Sequence, residues 1–274
     1  LDIKMIKAVI FDWAGTTVDF GSRAPMEAFV KLFKKNGLDI TIADARVPMG
    51  LNKWDHIQEL LEMPHVKSQW FNAYQRVSTT EDIDKLLNEF IPMNKVSLIE
   101  CSEVIPGVVD VVHHLEFNDI RIGSTTGYVR ELMDVLEPLA AKQGYRPEIS
   151  MCSGDTPSGR PSPQMMKRCA DFLGIDQPHQ MIKVDDTQPG IDEGKNFGCW
   201  TVGVAVTGNA LGLSLEEFNQ LPELEKASLV QVARDRVAAM KPDFVIDSVA
   251  DLLPIVDKIN QNLSQNHFPK VVNQ

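Results

Sequence analysis

Asp12 and Asp186 are the residues on which chemistry can be built. Each follows a short apolar run. Each is therefore expected at the carboxyl end of a β-strand, where open parallel sheets bind ligands. Two carboxylates carried by different strands can share a divalent cation. An all-oxygen donor set that leaves room for water suits Mg²⁺. A carboxylate can also attack phosphorus, and the cation offsets its repulsion from an anionic phosphoryl group. Thr126 and Arg160 supply a hydroxyl and a guanidinium for the phosphoryl oxygens. Four polar strand ends, namely Asp12, Ser124–Thr126, the Cys152–Arg160 loop and Asp185–Asp186, could converge on one site.

The elements that must position these residues alternate along the chain. Residues 6–11 (IKAVIF) read as a buried strand running into a turn. Strands are expected again at 120–125, 148–151, 180–184, 201–206 and 243–246. Helices are expected at 107–117, 128–143, 162–173, 188–197 and 248–261. This alternation predicts an α/β fold, a Rossmann-like parallel sheet with helices on both faces. From 20 to 99 no strand is evident. Ser22 can cap a helix that has Pro25 in its first turn and Gly37 at its end. Further helices are expected from Asn52 to Met63, stopped by Pro64, and over 66–76 and 80–90. The domain reading is a core of residues 1–20 and 100–274 with an all-helical insertion, 21–99. Residues 208–241 are helical and polar, with no role evident from their pattern.

Composition excludes several classes of function. The chain has 274 residues, 43% hydrophobic and 24% charged, as an ordinary globular protein does. Its net charge is −11, which disfavours a nucleic-acid partner or an anionic membrane surface. No apolar run approaches the ~20 residues of a membrane span, and no signal-peptide cleavage pattern is seen. Cys101, Cys152, Cys169 and Cys199 are scattered without a C-x-x-C pair. Reduced thiols and a cytoplasmic location are expected.

Asp12-x-x-x-Thr16, Ser124-Thr125-Thr126, Arg160 and Asp185-Asp186 resemble the four motifs of the haloacid dehalogenase superfamily. The helical insertion after the first strand is similar to that superfamily's cap domain. One position departs from the pattern. Most phosphatases and mutases of the superfamily carry a second Asp two residues after the nucleophile, as general acid. Here that residue is Ala14, which transfers no proton.

Lys53 offers an answer. It sits at the start of a helix in the insertion, with His56 three residues on and hence on the same face. A lysine amine forms a Schiff base with a carbonyl substrate. An iminium β to phosphorus accepts the electron pair released when a C–P bond breaks, so no oxygen leaving group needs a proton. The segments DWAGTTVD, MGLNKWDH, IGSTTGY, SGRPSP and VDDTQPG resemble those of the phosphonoacetaldehyde hydrolase family.

That resemblance implies cleavage of 2-phosphonoacetaldehyde to acetaldehyde and phosphate, with Asp12 as nucleophile and Lys53 as Schiff-base lysine. It implies Mg²⁺ held by Asp12, the Ala14 carbonyl and Asp186. It places Thr126 and Arg160 on the phosphoryl group, and His56, Tyr128 and Met49 around the substrate and the lysine. It further implies a cytoplasmic homodimer formed through the cap. Gly190 stands where many superfamily members have a second acid, and Asp185 is a weaker candidate ligand than Asp186. Two alternatives stay open on the residues alone: a phosphomonoesterase or mutase, against which Ala14 argues, and a non-catalytic phosphate binder.

Overall fold

Ala8–Phe11 (β1) is apolar throughout and buried on both faces, as a central parallel strand requires. A computed structural model describes residues 5–269. In it β1 lies between Arg121–Val129 (β2) and Met181–Asp185 (β4), parallel to both. Ile149–Ser153 (β3) extends the sheet beyond β2, and Trp200–Val204 (β5) and Phe244–Ile246 (β6) extend it beyond β4. The order is β3-β2-β1-β4-β5-β6. The chain leaves β1 toward one edge and returns on its other side to build the second half. A crevice must therefore open at the carboxyl ends of β1 and β4. Asp12 and Asp186 stand one residue beyond those two ends.

Five helices follow β1 and form the helical unit: Ala24–Lys35 (α1), Ile42–Arg46 (α2), Lys53–Glu62 (α3), Pro64–Tyr74 (α4) and Thr80–Glu100 (α5). α1 buries Met26, Phe29, Leu32 and Phe33 on one face, and the Phe29 ring stacks on Phe90 of α5 at 4.2 Å. The remaining helices flank the sheet: Val108–Phe117 (α6), Arg130–Lys142 (α7), Gln164–Leu173 (α8), Gln188–Phe197 (α9), Leu215–Gln220 (α10), Glu223–Ala239 (α11) and Leu252–Ser264 (α12).

Several local expectations are corrected. Ser22 does not cap α1. The Asp19 carboxylate does, accepting from the Arg23 and Ala24 N–H groups at 3.0 Å each. Pro64 does not simply stop a helix but opens α4, since proline suits a first turn. α5 continues ten residues past 90 with Pro92 inside it. β2 runs on to Val129, so α7 begins at Arg130. β5 ends at Val204. A 3₁₀ turn at Val249–Asp251 precedes α12, which continues to Ser264. All four cysteines are free. No helix among the described residues is long and apolar enough to cross a membrane.

Candidate active site

The site forms where the helical unit meets the carboxyl edge of the sheet. One cavity is lined by Asp12 and Ala14 after β1, Met49, Gly50 and Lys53 from the helical unit, Thr126–Tyr128 of β2, and Arg160 from the loop after β3. Gly127 permits this closeness. A Cβ there would stand 2.5 Å from the Leu51 carbonyl oxygen.

Lys53 is the first residue of α3, whose N-terminus is capped by Asn52 accepting from the Asp55 N–H at 2.9 Å. The lysine is only 5% exposed. Among the described residues its amine makes no hydrogen bond or ion pair. Nζ lies over the Tyr128 ring, 4.9 Å from its centre, and 5.7 Å from that of Phe29. Burial pulls the ammonium down to about 8, with Arg160 acting the same way and Asp12 opposing. The positive end of the α3 dipole also disfavours the charged form.

His56 lies behind Lys53 rather than on the cavity. Nε2 donates to the Ala45 carbonyl at 2.9 Å, which leaves Nδ1 the acceptor, without a partner. The ring stacks on Phe29 at 3.9 Å. Burial and the Lys53 charge hold it well below the usual imidazole range, against the Ala45 hydrogen bond. It is therefore neutral at pH 7. Burial, with Asp19 and Asp12 nearby, raises the Tyr128 phenol well above its usual range, so it too stays neutral.

Arg160 is buried and heavily bonded. It donates to Asp12 Oδ1 at 2.8 Å, to the Thr125 carbonyl at 2.6 Å and to Glu193 Oε2 at 3.2 Å. Thr126 Oγ1 accepts from the Tyr128 N–H at 3.1 Å, and among the described residues its own proton has no acceptor.

Asp186 sits beside Asp12, behind the cavity wall. Its Oδ2 accepts from the Asn209 N–H at 2.6 Å. Gly15, at φ +83°, lets the turn after β1 close on it, because a Cβ there would stand 2.4 Å from Asp186 Oδ2. Asp12, Asp185 and Asp186 each offer a carboxylate oxygen, all within 4.8 Å of one another. Burial, then Asp12 and Asp185, push the Asp186 carboxyl well above its usual range. Burial and Asp185 raise Asp12 to about 6, against Arg160 and Lys183.

Two members of the network were not anticipated. Lys183, in the middle of β4, and Glu193, on α9, are both 0% exposed. Lys183 Nζ lies 3.0 Å from Asp185 Oδ2 and 3.5 Å from Glu193 Oε2. The Thr125 hydroxyl donates to Glu193 at 2.7 Å and accepts from Lys183 at 2.6 Å. Asp185 Oδ1 accepts from the backbone and hydroxyl of Thr187. Asp185 is thus committed to Lys183, Arg160 and Thr187, and Asp186 has the oxygen less engaged by cations. At Gly190 a Cβ would fall 1.9 Å from Asp185 Oδ2, so an acid at 190 has no space.

The buried charges do not balance. Four carboxylates (Asp12, Asp185, Asp186 and Glu193) stand against three basic groups, Arg160, Lys183 and the Lys53 amine beside Asp12. A divalent cation between Asp12 and Asp186 would offset the excess, and the all-oxygen donors fit Mg²⁺.

The model of the haloacid dehalogenase-like hydrolase family matches residues 6–198. A phosphonoacetaldehyde hydrolase from Paraburkholderia phytofirmans is 47% identical over 267 residues, covering 97% of this chain and 100% of that one. The chain belongs to the phosphonoacetaldehyde hydrolase family. It is a hydrolase of the haloacid dehalogenase-like class. Another family member, from Hahella chejuensis, is 45% identical, with 96% of this chain and 90% of that one covered. A phosphonoacetaldehyde hydrolase-like protein from Oleispira antarctica has the same fold at TM-score 0.95 and 38% identity, with 97% of each chain covered. A β-phosphoglucomutase from Clostridium difficile, at 20% identity and TM-score 0.68 over 95% of this chain and all of that one, shares the fold alone.

Proposed function

We propose that the protein hydrolyses the carbon–phosphorus bond of 2-phosphonoacetaldehyde, giving acetaldehyde and phosphate. The observation that carries this reading is Lys53, a buried and unpaired amine, on the same cavity as Asp12, Thr126 and Arg160. The relatives named phosphonoacetaldehyde hydrolase support it.

The neutral Lys53 amine condenses with the aldehyde, releases water and takes up a proton, giving the iminium. Asp12 attacks phosphorus. The electron pair of the C–P bond moves into the iminium, leaving an enamine on Lys53 and a phosphoryl group on Asp12. The enamine takes a proton on carbon, and water hydrolyses the resulting imine to acetaldehyde and free lysine. A second water hydrolyses the aspartyl phosphate. Ala14 fits, because the departing carbon needs no proton from an acid. Thr126 and Arg160 orient the phosphoryl oxygens and stabilise their charge. Met49 and Tyr128 pack around the two-carbon unit, and neutral His56 adds no charge that would oppose iminium formation. Asp12, the Ala14 carbonyl and Asp186 would hold Mg²⁺, which when bound offsets the repulsion between Asp12 and the phosphoryl group.

In this reading residues 21–99 are a cap that closes over the core of 1–20 and 100–274 and excludes water. We propose too that two copies pair through the cap, on which Phe71, Val77, Val96 and Ile99 are exposed, and that the enzyme is cytoplasmic. With a net charge of −11, the protein needs no nucleic-acid or membrane partner for this activity.

Borohydride trapping tests the chemistry. The protein is incubated with phosphonoacetaldehyde and Mg²⁺, reduced, and mapped by mass spectrometry, with phosphate assayed in an unreduced control. A two-carbon adduct on Lys53 with phosphate release is expected. Folded protein giving neither would overturn the reading, and turnover of sugar phosphates instead would favour an ester phosphatase.

A further inference from the structure

The loop after β5 does more than follow the sheet. The Asn209 backbone N–H donates to Asp186 Oδ2 at 2.6 Å. The Asn209 side-chain Oδ1 accepts from Arg46 Nη1 at 3.0 Å, and its backbone carbonyl accepts from the same nitrogen at 3.2 Å. Arg46 is the last residue of α2, in the helical unit. Its guanidinium also donates to the Gly21 carbonyl at 3.3 Å and the Gly212 carbonyl at 2.7 Å. Asn209 Nδ2 returns a longer bond, 3.4 Å, to the Arg46 carbonyl.

This contact is built rather than incidental. The planar guanidinium spreads its donors over acceptors from three separated backbone positions, as lysine cannot. Among the described residues Arg46 forms no ion pair. Its hydrogen-bond partners are carbonyl and amide oxygens, and the nearby Asp186 and Asp19 favour its charge against burial. Gly212 makes room for it. At φ +73°, a Cβ there would fall 2.2 Å from Arg46 Cζ. The loop is equally tight on its other side, where a Cβ at Gly208 would stand 2.4 Å from Asp186 Cβ. Thr207 ties the same loop to the turn after β1, donating from Oγ1 to the Gly15 carbonyl at 2.9 Å. One short loop thus grips the helical unit with one edge and Asp186 with the other.

We propose that Arg46 is a positioning residue that latches the cap through Asn209, and that the latch couples cap closure to cation binding at Asp186. The inference rests on Asp186 being a metal ligand, as in the preceding reading. Holding the 207–212 loop fixes the direction of the Asn209 N–H, and so the orientation of the Asp186 carboxylate. A cation that holds Asp186 in that orientation favours the latched loop by the same factor that the latch favours the cation, because coupling between two sites is reciprocal. Closure also carries Lys53, seven residues after Arg46, onto the cavity with Asp12. The cap therefore closes most firmly when the metal acid is set.

The test uses the full chain and Mg²⁺ alone, without substrate. Mg²⁺ affinity is measured by calorimetry, and amide hydrogen exchange over residues 42–57 is followed with and without the ion. The proteins are wild type, Arg46→Ala, Arg46→Lys and Asn209→Ala. The last keeps the backbone N–H to Asp186 and removes only the side-chain contact. Circular dichroism verifies that each is folded, and the milder Arg46→Lys and Asn209→Ala stand in if Arg46→Ala is not. In wild type Mg²⁺ should slow exchange over 42–57. In the variants that protection should shrink and Mg²⁺ should bind about fivefold or more weakly, the lower end of ordinary coupling between sites. Variants that bind Mg²⁺ within twofold of wild type overturn the coupling alone, as does wild-type binding that leaves exchange over 42–57 unchanged. Wild type that binds no Mg²⁺ overturns both the coupling and the metal assignment beneath it.

Discussion

Lys53 Nζ stands 4.9 Å from the centre of the Tyr128 ring, and among the described residues no carboxylate or carbonyl is bonded to it. The π face is an uncharged neighbour. It tolerates the ammonium, and it tolerates the amine without leaving a buried acceptor unpaired. A surface lysine would be hydrated and a paired one would be locked as a cation. This one is held where both protonation states are accessible, beside the residue that would attack phosphorus.

Lys53→Arg keeps the charge and removes the chemistry. A guanidinium does not form the imine. Turnover of phosphonoacetaldehyde should fall at least about a thousandfold, equivalent to about 4 kcal/mol of barrier, and borohydride should leave no adduct. Phosphate should still bind, since Thr126 and Arg160 are untouched. Substantial turnover in this variant would remove the Schiff base from the mechanism.

The pH dependence follows from the Lys53 amine titrating near 8. Only the neutral amine adds to the aldehyde. Imine formation should rise about tenfold per pH unit below 8 and level off above it, in a stopped-flow trapping series. Stability carries the matching sign. The folded value lies below the ordinary 10.5 of lysine, so between about 8 and 10.5 the unfolded chain binds the extra proton. Stability contributed by this site should therefore increase with pH across that window, and the full cost, about 3 kcal/mol, is present below 8. In urea titrations Lys53→Met should lose that pH dependence.

Much of the site could be read from residue types alone. Asp12, Thr126 and Asp186 stand at strand ends and Arg160 in the polar loop after β3, and the alternation of strands and helices fixes which end of the sheet they share. Lys183 and Glu193 were missed for different reasons. Lys183 interrupts the apolar run MIKVD, a visible signal that a buried cation needs a partner. Glu193 gives none, because its partners Arg160, Thr125 and Lys183 come from three other segments. The α1 cap was assigned to Ser22 because the nearest hydroxyl is the ordinary choice. Asp19 caps instead because both Asp19 (φ 58°) and Ser22 (φ 51°) adopt left-handed backbone, which only tertiary structure reveals. Pro92 ordinarily breaks a helix, yet α5 runs through it to Glu100, which the pattern over 80–90 does not reveal.

Gly190→Ala sets two effects against each other. In a helix, alanine normally stabilises by up to about 1 kcal/mol over glycine. Here the added carbon falls 1.9 Å from Asp185 Oδ2, a carboxylate pinned by Lys183, Arg160 and Thr187. The clash should win, with a net loss of about 2 kcal/mol and a lower urea midpoint. A raised midpoint would show that Asp185 moves freely, and the network would then not be the rigid frame described above.

Asp186→Asn should separate the ion's contribution from that of the fold. Without a cation, Asp186 is a buried acid beside Asp12 and Asp185, and those neighbours disfavour its charge. A neutral amide there removes that repulsion while still accepting the Asn209 N–H, so the metal-free variant should melt no lower than metal-free wild type. Mg²⁺ should then distinguish them. An ion that binds only the folded chain stabilises it by about 2.7 kcal/mol at a hundredfold excess over its Kd. Wild type should therefore melt several degrees higher in Mg²⁺, and Asp186→Asn should show little or no rise. Differential scanning fluorimetry with and without Mg²⁺ reads both comparisons at once. A variant whose melting temperature still climbs with Mg²⁺ as wild type does would place the ion on other oxygens.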